Sequence, residues 1–283
     1  MPDRLALSDD HDPAAPAAGA DGVPARGESH PPGDGGPRAV DWLLPEESPV
    51  ALVYNRRTFA VMLATPRDLG DFALGFSLSE GVVAALDEVD EIVVERHGAG
   101  FVARMRVPSA RAAALVGRRR ALEGRSGCGL CGVESLDALA APPPGVRAPQ
   151  VAPAAVARAF AALADHQPMR ARVHSVHAAA WCAPDGTVLL AREDVGRHCA
   201  LDKLIGAASA QGVDFAQGFA LLSSRCGFEL VQKAARVGIG LLACVSAPTG
   251  FARRVAAQAG MTLAARGAGG AVVLFPPGED PAC

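Results

Sequence analysis

The stretch FALLSSRCGFELVQKAARVGIGLLACV, residues 219–245, shows a short apolar run, an amphipathic segment and a second apolar run. The runs Phe219–Leu222 and Leu241–Val245 are the length of buried strands, and Phe228–Arg236 has helical spacing of its apolar residues. A buried strand, a helix and another buried strand in this order are typical of a parallel sheet covered by helices. The stretch therefore predicts an α/β fold.

The surrounding sequence extends this pattern in both directions. Val176–Cys182 and Val188–Ala191 flank the turn Pro184-Asp185-Gly186, which predicts a hairpin. Further elements are predicted as follows: a helix with one face formed by Leu201, Leu204, Ile205 and Ala208, a helix over Pro248–Ala259, and late strands over Met261–Leu263 and Val272–Phe275. We expect a largely parallel sheet with helices on both faces.

The N-terminal half predicts a smaller α+β unit. Phe59, Val61 and Leu63 alternate as in a strand, and Thr65-Pro66-Arg67-Asp68 has the pattern of a helix N-cap followed by proline. Ile92–Glu95 and Phe101–Val107 predict a hairpin, and Ala112–Val116 a short helix. The proline run at 142–144 marks a break, so we expect a subdomain over 39–145 and an α/β subdomain over 146–283. Residues 1–38 carry few bulky apolar side chains, and we expect them to be disordered.

The composition of the chain argues against several classes of protein. The 283 residues carry a net charge of −3, which argues against a nucleic-acid-binding protein. The longest apolar runs, such as Val237–Val245, are too short to span a bilayer, and the acidic N-terminus does not resemble a signal peptide. Seven mostly scattered cysteines do not suggest a secreted disulfide scaffold. We expect a cytoplasmic protein that is not associated with membranes.

Cys128 and Cys131 form the only paired-cysteine motif, in RSGCGLCG at residues 125–132. Glycines beside the thiols permit close approach of another molecule, and Arg125 with the arginines at 118–120 favours the reactive thiolate. A tetrahedral zinc site would need further ligands at suitable spacing, which the neighbouring sequence does not supply. The residues alone leave sulfur or redox chemistry, metal binding and a purely structural pair open.

Three loops at predicted strand ends carry polar residues suited to an anionic ligand. The first is REDVGRH, residues 192–198, where Arg197 begins a helix, although a helix cap with its salt bridges is the favoured interpretation of this stretch taken alone. The second contains Ser224 and Arg225, and the third is Ser246–Thr249. Ligands of open α/β sheets collect beyond the carboxyl ends of strands, so the loops together favour a nucleotide-like ligand. Arg266–Gly270 is interpreted from sequence as an ordinary hairpin loop.

Several ordered segments resemble the FdhD family of formate dehydrogenase accessory proteins. The resemblance covers about residues 38–276 and rests on these segments: TPRDL at 65–69, ALGF at 73–76, SGCGLCG at 126–132, VHAAA at 176–180, REDVGRH at 192–198, ALDKLIG at 200–206, FELVQK at 228–233 and VSAP at 245–248. It implies a cytidine-deaminase-like three-layer α/β core without a catalytic metal, and a cytoplasmic protein that is often a homodimer.

The resemblance also implies a reaction. A sulfur carrier of this family accepts sulfur from an IscS-type cysteine desulfurase and passes it to the Mo-bis(molybdopterin guanine dinucleotide) cofactor before insertion into formate dehydrogenase. The persulfide would form on Cys128, with Cys131 assisting. Arg197, Ser224 and Arg225 would bind the cofactor together with the segment Arg266, Gly267, Ala268, Gly269, Gly270 and Ala271.

This segment departs from the family pattern, because the arginines expected at its third and sixth places are Ala268 and Ala271. Arg266 is then the cation that remains there. Two other functions stay open beside the sulfur carrier: a zinc-binding structural or regulatory protein, and a cofactor chaperone that performs no sulfur chemistry.

Overall fold

The computed structural model describes residues 22–32, 36–118 and 143–278. These residues form a two-stranded hairpin, a four-stranded sheet and a six-stranded sheet. The hairpin consists of β1 (Val23–Ser29) and β2 (Arg38–Leu44). Among the helices of these described ranges, none has the length and apolar composition of a bilayer-spanning segment.

The four-stranded sheet has the order β4-β3-β6-β5. Its strands are β3 (Ser48–Tyr54), β4 (Arg57–Ala64), β5 (Glu91–His97) and β6 (Gly100–Arg106). β3 and β6 are parallel, and the other pairs are antiparallel, which confirms the strand around Val61 and the hairpin of β5 and β6. Helix α2 (Ser109–Arg118) follows β6 and contains the short helix expected over Ala112–Val116.

The predicted start of the first helix is wrong. Helix α1 spans Leu69–Ser79, and Asp68, with φ of 52°, occupies its N-cap position in a left-handed conformation. Thr65 lies at the end of β4 and bonds instead to residues near position 195 in the other sheet. Those partners are some 130 residues away in the sequence. The residues around Thr65 therefore show the pattern of a helix cap but give no sign of these distant hydrogen bonds.

The six-stranded sheet has the order β12-β11-β10-β9-β7-β8. Its strands are β7 (His177–Cys182), β8 (Val188–Asp194), β9 (Phe219–Leu222), β10 (Leu241–Cys244), β11 (Thr262–Arg266) and β12 (Val272–Phe275). The three central strands β9, β10 and β11 are mutually parallel. β7, β8 and β12 pair antiparallel with their neighbours, so the sheet is mixed and less parallel than expected.

Helices cover both faces of this sheet, as predicted. The alternation of its buried strands places Leu222 and Leu242 on one face, and these pack in the cluster with helices α5 (Arg197–Ala210), α6 (Phe228–Arg236) and α7 (Gly250–Ala259). The opposite face packs on α3 (Pro153–Ala162), which is followed by a 3-10 turn and by α4 (Pro168–Val173). Helices α3 and α4 were not predicted from the sequence.

Helix α1 joins the two larger sheets by packing between the four-stranded sheet and α5. The two helices cross at glycines: a Cβ on Gly75 would overlap the carbonyl oxygen of Asp202, and a Cβ on Gly206 would overlap that of Asp71. Phe72 of α1 is fully buried beside this crossing. Truncating such a phenylalanine typically costs about 3–5 kcal/mol, so the crossing is a main element of stability.

The N-terminal hairpin packs on α4 through few side chains. Leu43 contacts the small cluster of Met169, Val173 and Val176, and the rings of Trp42 and His174 lie 6.3 Å apart. Part of this hairpin, residues 23–29, falls within the segment 1–38 that we expected to be disordered. The reason for the difference is that the ladder to β2 satisfies the backbone of β1 although its side chains are largely exposed.

Candidate functional site

The topology brings the predicted ligand loops to one edge of the six-stranded sheet, which we call the carboxyl edge. The carboxyl ends of β9, β10 and β11 lie side by side because these strands are parallel neighbours. The carboxyl end of β8 reaches the same edge, since His177 at the start of β7 pairs with Asp194. The edge therefore comprises residues 194–198, 223–227, 245–249 and 266–271.

Hydrogen bonds continue between these loops beyond the ends of the strands. The amide of Thr249 donates to the carbonyl oxygen of Cys226 at 3.1 Å, and Cys226 and Pro248 form an isolated parallel bridge. On the other side, the amide of Ala178 donates to the hydroxyl of Ser223 at 2.8 Å. These bonds connect residues 223–227 to residues 245–249 and to β7.

Three helices begin at the carboxyl edge. The first residues of α5, α6 and α7 follow the N-cap positions Gly196, Gly227 and Thr249, and the Thr249 hydroxyl accepts a hydrogen bond from the amide of Ala252. The free N–H groups at helix N-termini carry a partial positive charge that favours anions. Three such ends on one surface suit a ligand with several phosphate groups.

The predicted ligand residues differ in how accessible they are. Arg225 and Arg266 are exposed, and Arg197 is partly exposed at the start of α5. Ser224 is buried, and its hydroxyl donates to the carbonyl oxygen of Arg225 at 2.9 Å, so in this conformation it supports the loop.

The segment after β11 is the tight hairpin loop expected from its sequence. The amide of Gly267 donates to the carbonyl oxygen of Ala271 at 2.7 Å. Gly269 and Gly270 have φ of 64° and 82°, a backbone region that glycine adopts without strain. Residues 268–271 are exposed and carry no side chain beyond Cβ, so this loop offers backbone groups and Arg266 to a ligand.

The acidic residues of the 192–198 stretch serve structural roles, as the salt-bridge interpretation predicts. Arg192 donates to Asp71 of α1 at 2.8 Å. Glu193 accepts hydrogen bonds from the amides of Met169 and Arg170 at the start of α4. Neither carboxylate of Glu193 and Asp194 is exposed to a ligand, because both residues are buried.

A histidine–glutamate pair at the carboxyl edge was not foreseen from the sequence. His198 in the first turn of α5 places Nε2 at 3.7 Å from Oε1 of Glu229 in the first turn of α6, with side chains 12% and 15% exposed. Burial opposes the charge on Glu229, but His198 and Arg197 outweigh it and lower the pKa of this carboxyl. An acid in the first turn of a helix was visible in the sequence, whereas its partner on another helix was not.

His177 completes the polar group at this edge. Burial, reinforced by the positive charges of Arg197 and Arg170 and by His198, lowers the pKa of its imidazole. The positive charges of Arg197 and Arg170 near this imidazole favour an anionic ligand, and the carboxylate of Glu229 opposes one.

Two surface clefts among the described residues lie away from this edge. One, of about 380 Å³, is lined by residues 147–150 and by Pro184 beyond the opposite end of β7. The other, of about 480 Å³, lies between the end of α1 and the end of α5. Neither contains a residue of the carboxyl edge.

The predicted persulfide residues Cys128 and Cys131 lie outside the described residues, which resume only at 143. The four cysteines that the structure describes are all buried and free: Cys182, Cys199, Cys226 and Cys244. No cluster of three or more potential metal-ligating side chains occurs within 22–32, 36–118 and 143–278.

Fold and edge together define a mixed α/β protein with a cationic, helix-N-terminal surface suited to an anionic ligand. The profile of the FdhD/NarQ family matches residues 45–279, and the chain belongs to this family. The expected cytidine-deaminase-like core stays a prediction.

Similar proteins agree with this assignment. The "Sulfur carrier protein FdhD" of Xanthomonas euvesicatoria is 50% identical over 225 residues, covering 79% of this chain and 80% of the relative. The protein of the same name from Chromobacterium violaceum is 48% identical over 229 residues, covering 79% and 85%. A crystal structure from Desulfotalea psychrophila, described as a formate dehydrogenase accessory protein, has a TM-score of 0.67 at 22% identity, covering 90% of this chain and 96% of that one.

Proposed function

We propose that this protein is a sulfur carrier that serves formate dehydrogenase. Family membership and the printed names of relatives with about half of their residues identical support this role. The observation that carries the proposal furthest is the carboxyl edge, where separate loops converge with three arginines and three helix N-termini. A carrier needs such a surface to hold an anionic acceptor while sulfur is delivered.

The sulfur-accepting group in this proposal is the thiol of Cys128. Its thiolate attacks the terminal sulfur of a persulfide on an IscS-type cysteine desulfurase. A new sulfur–sulfur bond forms on Cys128, the donor's sulfur–sulfur bond breaks, and the donor cysteine leaves as a thiolate. The flanking glycines and Arg125 support this assignment, because they favour access and the charged form. Cys131 assists or relays the sulfur.

The acceptor in this proposal is the Mo-bis(molybdopterin guanine dinucleotide) cofactor, bound as a substrate. Its dinucleotide arms carry phosphates that match the arginines and helix N-termini of the carboxyl edge. Arg197, Arg225 and Arg266 supply charge, and the backbone of 267–271 lies against an arm. The protein acts in the cytoplasm as a homodimer before the cofactor enters formate dehydrogenase.

Sulfur loading tests the first half of the proposal. Incubation with the desulfurase and cysteine should add one sulfur atom to the intact protein, as a mass increase that reductant reverses. Cys128→Ala should abolish the adduct, whereas Cys182→Ala, which removes a buried thiol at the far end of β7, should retain it. An adduct that persists in Cys128→Ala would contradict the assignment.

Nucleotide binding tests the second half. Guanosine diphosphate, standing in for one arm of the cofactor, should bind saturably in calorimetry. Arg225→Ala should weaken binding by about tenfold or more, the usual effect of losing a hydrogen bond to a charged group. Arg96→Ala removes an exposed arginine of β5, far from the edge, and should leave affinity unchanged. Equal losses in both variants would contradict a site at the edge.

A further inference from the structure

We infer that Thr65, Asp194 and Lys203 are positioning residues, which hold the backbone that presents Arg197 and His198 at the carboxyl edge. This inference rests on the proposed function, because it concerns the same ligand surface. It assigns a purpose to a buried ionic group that neither sulfur chemistry nor direct ligand contact uses.

The first observation is a salt bridge without contact to solvent. Nζ of Lys203 lies 2.6 Å from Oδ2 of Asp194, and both side chains are 0% exposed. Removing two charges from water is expensive unless their remaining hydrogen-bonding capacity is satisfied. The other hydrogen-bond partners of Asp194 and Lys203 therefore show which parts of the chain this pair holds in place.

Most of those partners are backbone groups of two chain segments. The two carboxylate oxygens of Asp194 accept from the amide of Thr65 at 3.0 Å and from the amide of Gly196 at 2.7 Å. Lys203 donates to the carbonyl oxygen of Thr65 at 3.0 Å. The Thr65 hydroxyl in turn accepts from the amide of Val195 at 3.1 Å. The group therefore ties the end of β4 to the turn that immediately precedes Arg197.

Another buried ionic group among the described residues has a different pattern. Nζ of Lys233 donates to both carboxylate oxygens of Asp202 at 2.9 Å and to the hydroxyl of Ser79 at 3.0 Å, and it lies 2.9 Å from a carboxylate oxygen of Glu80. Asp202 lies on α5, Ser79 is the last residue of α1 and Glu80 follows it, so these bonds join helices rather than a loop of the carboxyl edge. The two groups are similarly buried, so the second is a matched control for the first.

The consequence is specific to the turn at 195–197. Without these hydrogen bonds, the turn keeps only the packing of Val195 on the cluster of Met169, Val173 and Val176 and the first backbone bond of α5, so the start of α5 is freer to shift. The position of the His198 ring depends on where α5 begins, because no hydrogen bond to its Nε2 within the described residues holds the ring in place. The ring must also stay within reach of Glu229, whose carboxylate lies 3.7 Å from Nε2. Arg197 occupies the first position of the same helix. Loosening the turn should therefore weaken anion binding more than it weakens the fold.

The test compares variants by guanosine diphosphate affinity and by hydrogen exchange of a peptide that covers 194–199. Thr65→Val keeps size but removes the acceptor for Val195, and it should speed exchange and weaken binding by about fivefold. Thr65→Ser retains the hydroxyl and should behave as wild type. The double variant Asp194→Asn, Lys203→Met removes both charges together, and we expect a loss of about tenfold or more.

The control is Asp202→Asn with Lys233→Met, which should lower the melting temperature yet leave affinity within about twofold of wild type. An equal loss of affinity in this control would overturn the inference, because the effect would then follow stability alone. Unchanged exchange and affinity in Thr65→Val would overturn it as well. If wild type binds no guanosine diphosphate, the cofactor half of the proposed function fails, and exchange at 194–199 alone then decides the inference.

Discussion

The buried lysine group around Lys233 allows a quantitative prediction. Asp202→Ala removes the carboxylate that accepts two hydrogen bonds from Lys233 and one, at 2.6 Å, from the hydroxyl of Ser79. Lys233 keeps Glu80 as a counter-ion at 2.9 Å, and its ammonium lies 5.1 Å from the centre of the Phe76 ring. The variant thus leaves a buried cation with half of its neutralising charge.

The expected loss of stability follows from these contacts. Removing one partner of a buried ion pair typically costs about 3–5 kcal/mol, and the surviving Glu80 places Asp202→Ala near about 3 kcal/mol. Lys233→Met should cost more at neutral pH, because Asp202 then keeps only Ser79. Burial raises the pKa of Asp202, so without Lys233 the carboxyl should take up a proton as the pH falls. The penalty of Lys233→Met should accordingly be smaller at pH 5 than at pH 8.

Urea unfolding of both single variants and of Asp202→Asn, Lys233→Met measures these free energies. The double variant should recover part of the sum of the single losses, since neither Asp202 nor Lys233 then stays charged without the other. Glu95→Ala, which breaks the exposed pair of Glu95 with Arg104 at 2.9 Å, is the control and should change stability by less than about 1 kcal/mol. A loss below about 1 kcal/mol for Asp202→Ala, or additive single losses, would refute the reasoning.

Three further predictions concern packing, thiols and pH. Gly206→Ala should lower the free energy of unfolding, measured in urea, by about 2–3 kcal/mol, because its Cβ would overlap α1. Gly145→Ala adds a methyl group in open space and should change this free energy by less than about 0.5 kcal/mol. Similar losses in the two variants would contradict the close helix crossing. In a variant with Cys128, Cys131 and Cys283 replaced by alanine, a thiol reagent at pH 8 should react only after unfolding. The reason is that burial raises the pKa of Cys182 and Cys244 to about 12, and it raises the pKa of Cys199 and Cys226 well above the usual value. Rapid labelling of the folded protein would contradict this prediction, because it would show that these thiols are accessible. Because the pKa of His177 is lowered in the folded protein, the unfolded chain binds a proton at this residue more readily, and stability should fall as the pH drops below about 6.5. His177→Gln should lose less stability than wild type between pH 7.5 and 5.5. His97→Gln, at an exposed position, is the control and should lose as much as wild type.

Local patterns predicted most of the individual elements. The helix Phe228–Arg236 has the bounds expected from the sequence, and the strand Phe219–Leu222 does as well. Both elements are short and sharply bounded, with apolar residues at a clear period. The gathering of the predicted ligand loops at one edge also followed from the sequence, because strand–loop–helix repeats place strand ends together.

Features that depend on distant partners could not be predicted in this way. Thr65 has the local pattern of an N-cap, yet its bonds go to Asp194 and Val195. The pairing of His198 with Glu229 likewise requires knowing that α5 and α6 begin side by side. The alanine-rich helix Pro153–Ala162 escaped notice because small residues give a weak amphipathic signal, although proline at its first position is a helix start.

The glycine crossing of α1 and α5 bears on how a carrier of this shape could work. Backbone packed against backbone at Gly75 and Gly206 leaves no side-chain layer that could deform, so a hinge between the four-stranded and six-stranded sheets would have to separate the helices entirely. We expect these two sheets to travel as one rigid frame. Motion needed to transfer sulfur from donor to acceptor would then occur in surface loops and in the partner proteins. The two packed sheets would hold the carboxyl edge at a fixed position relative to the rest of the molecule.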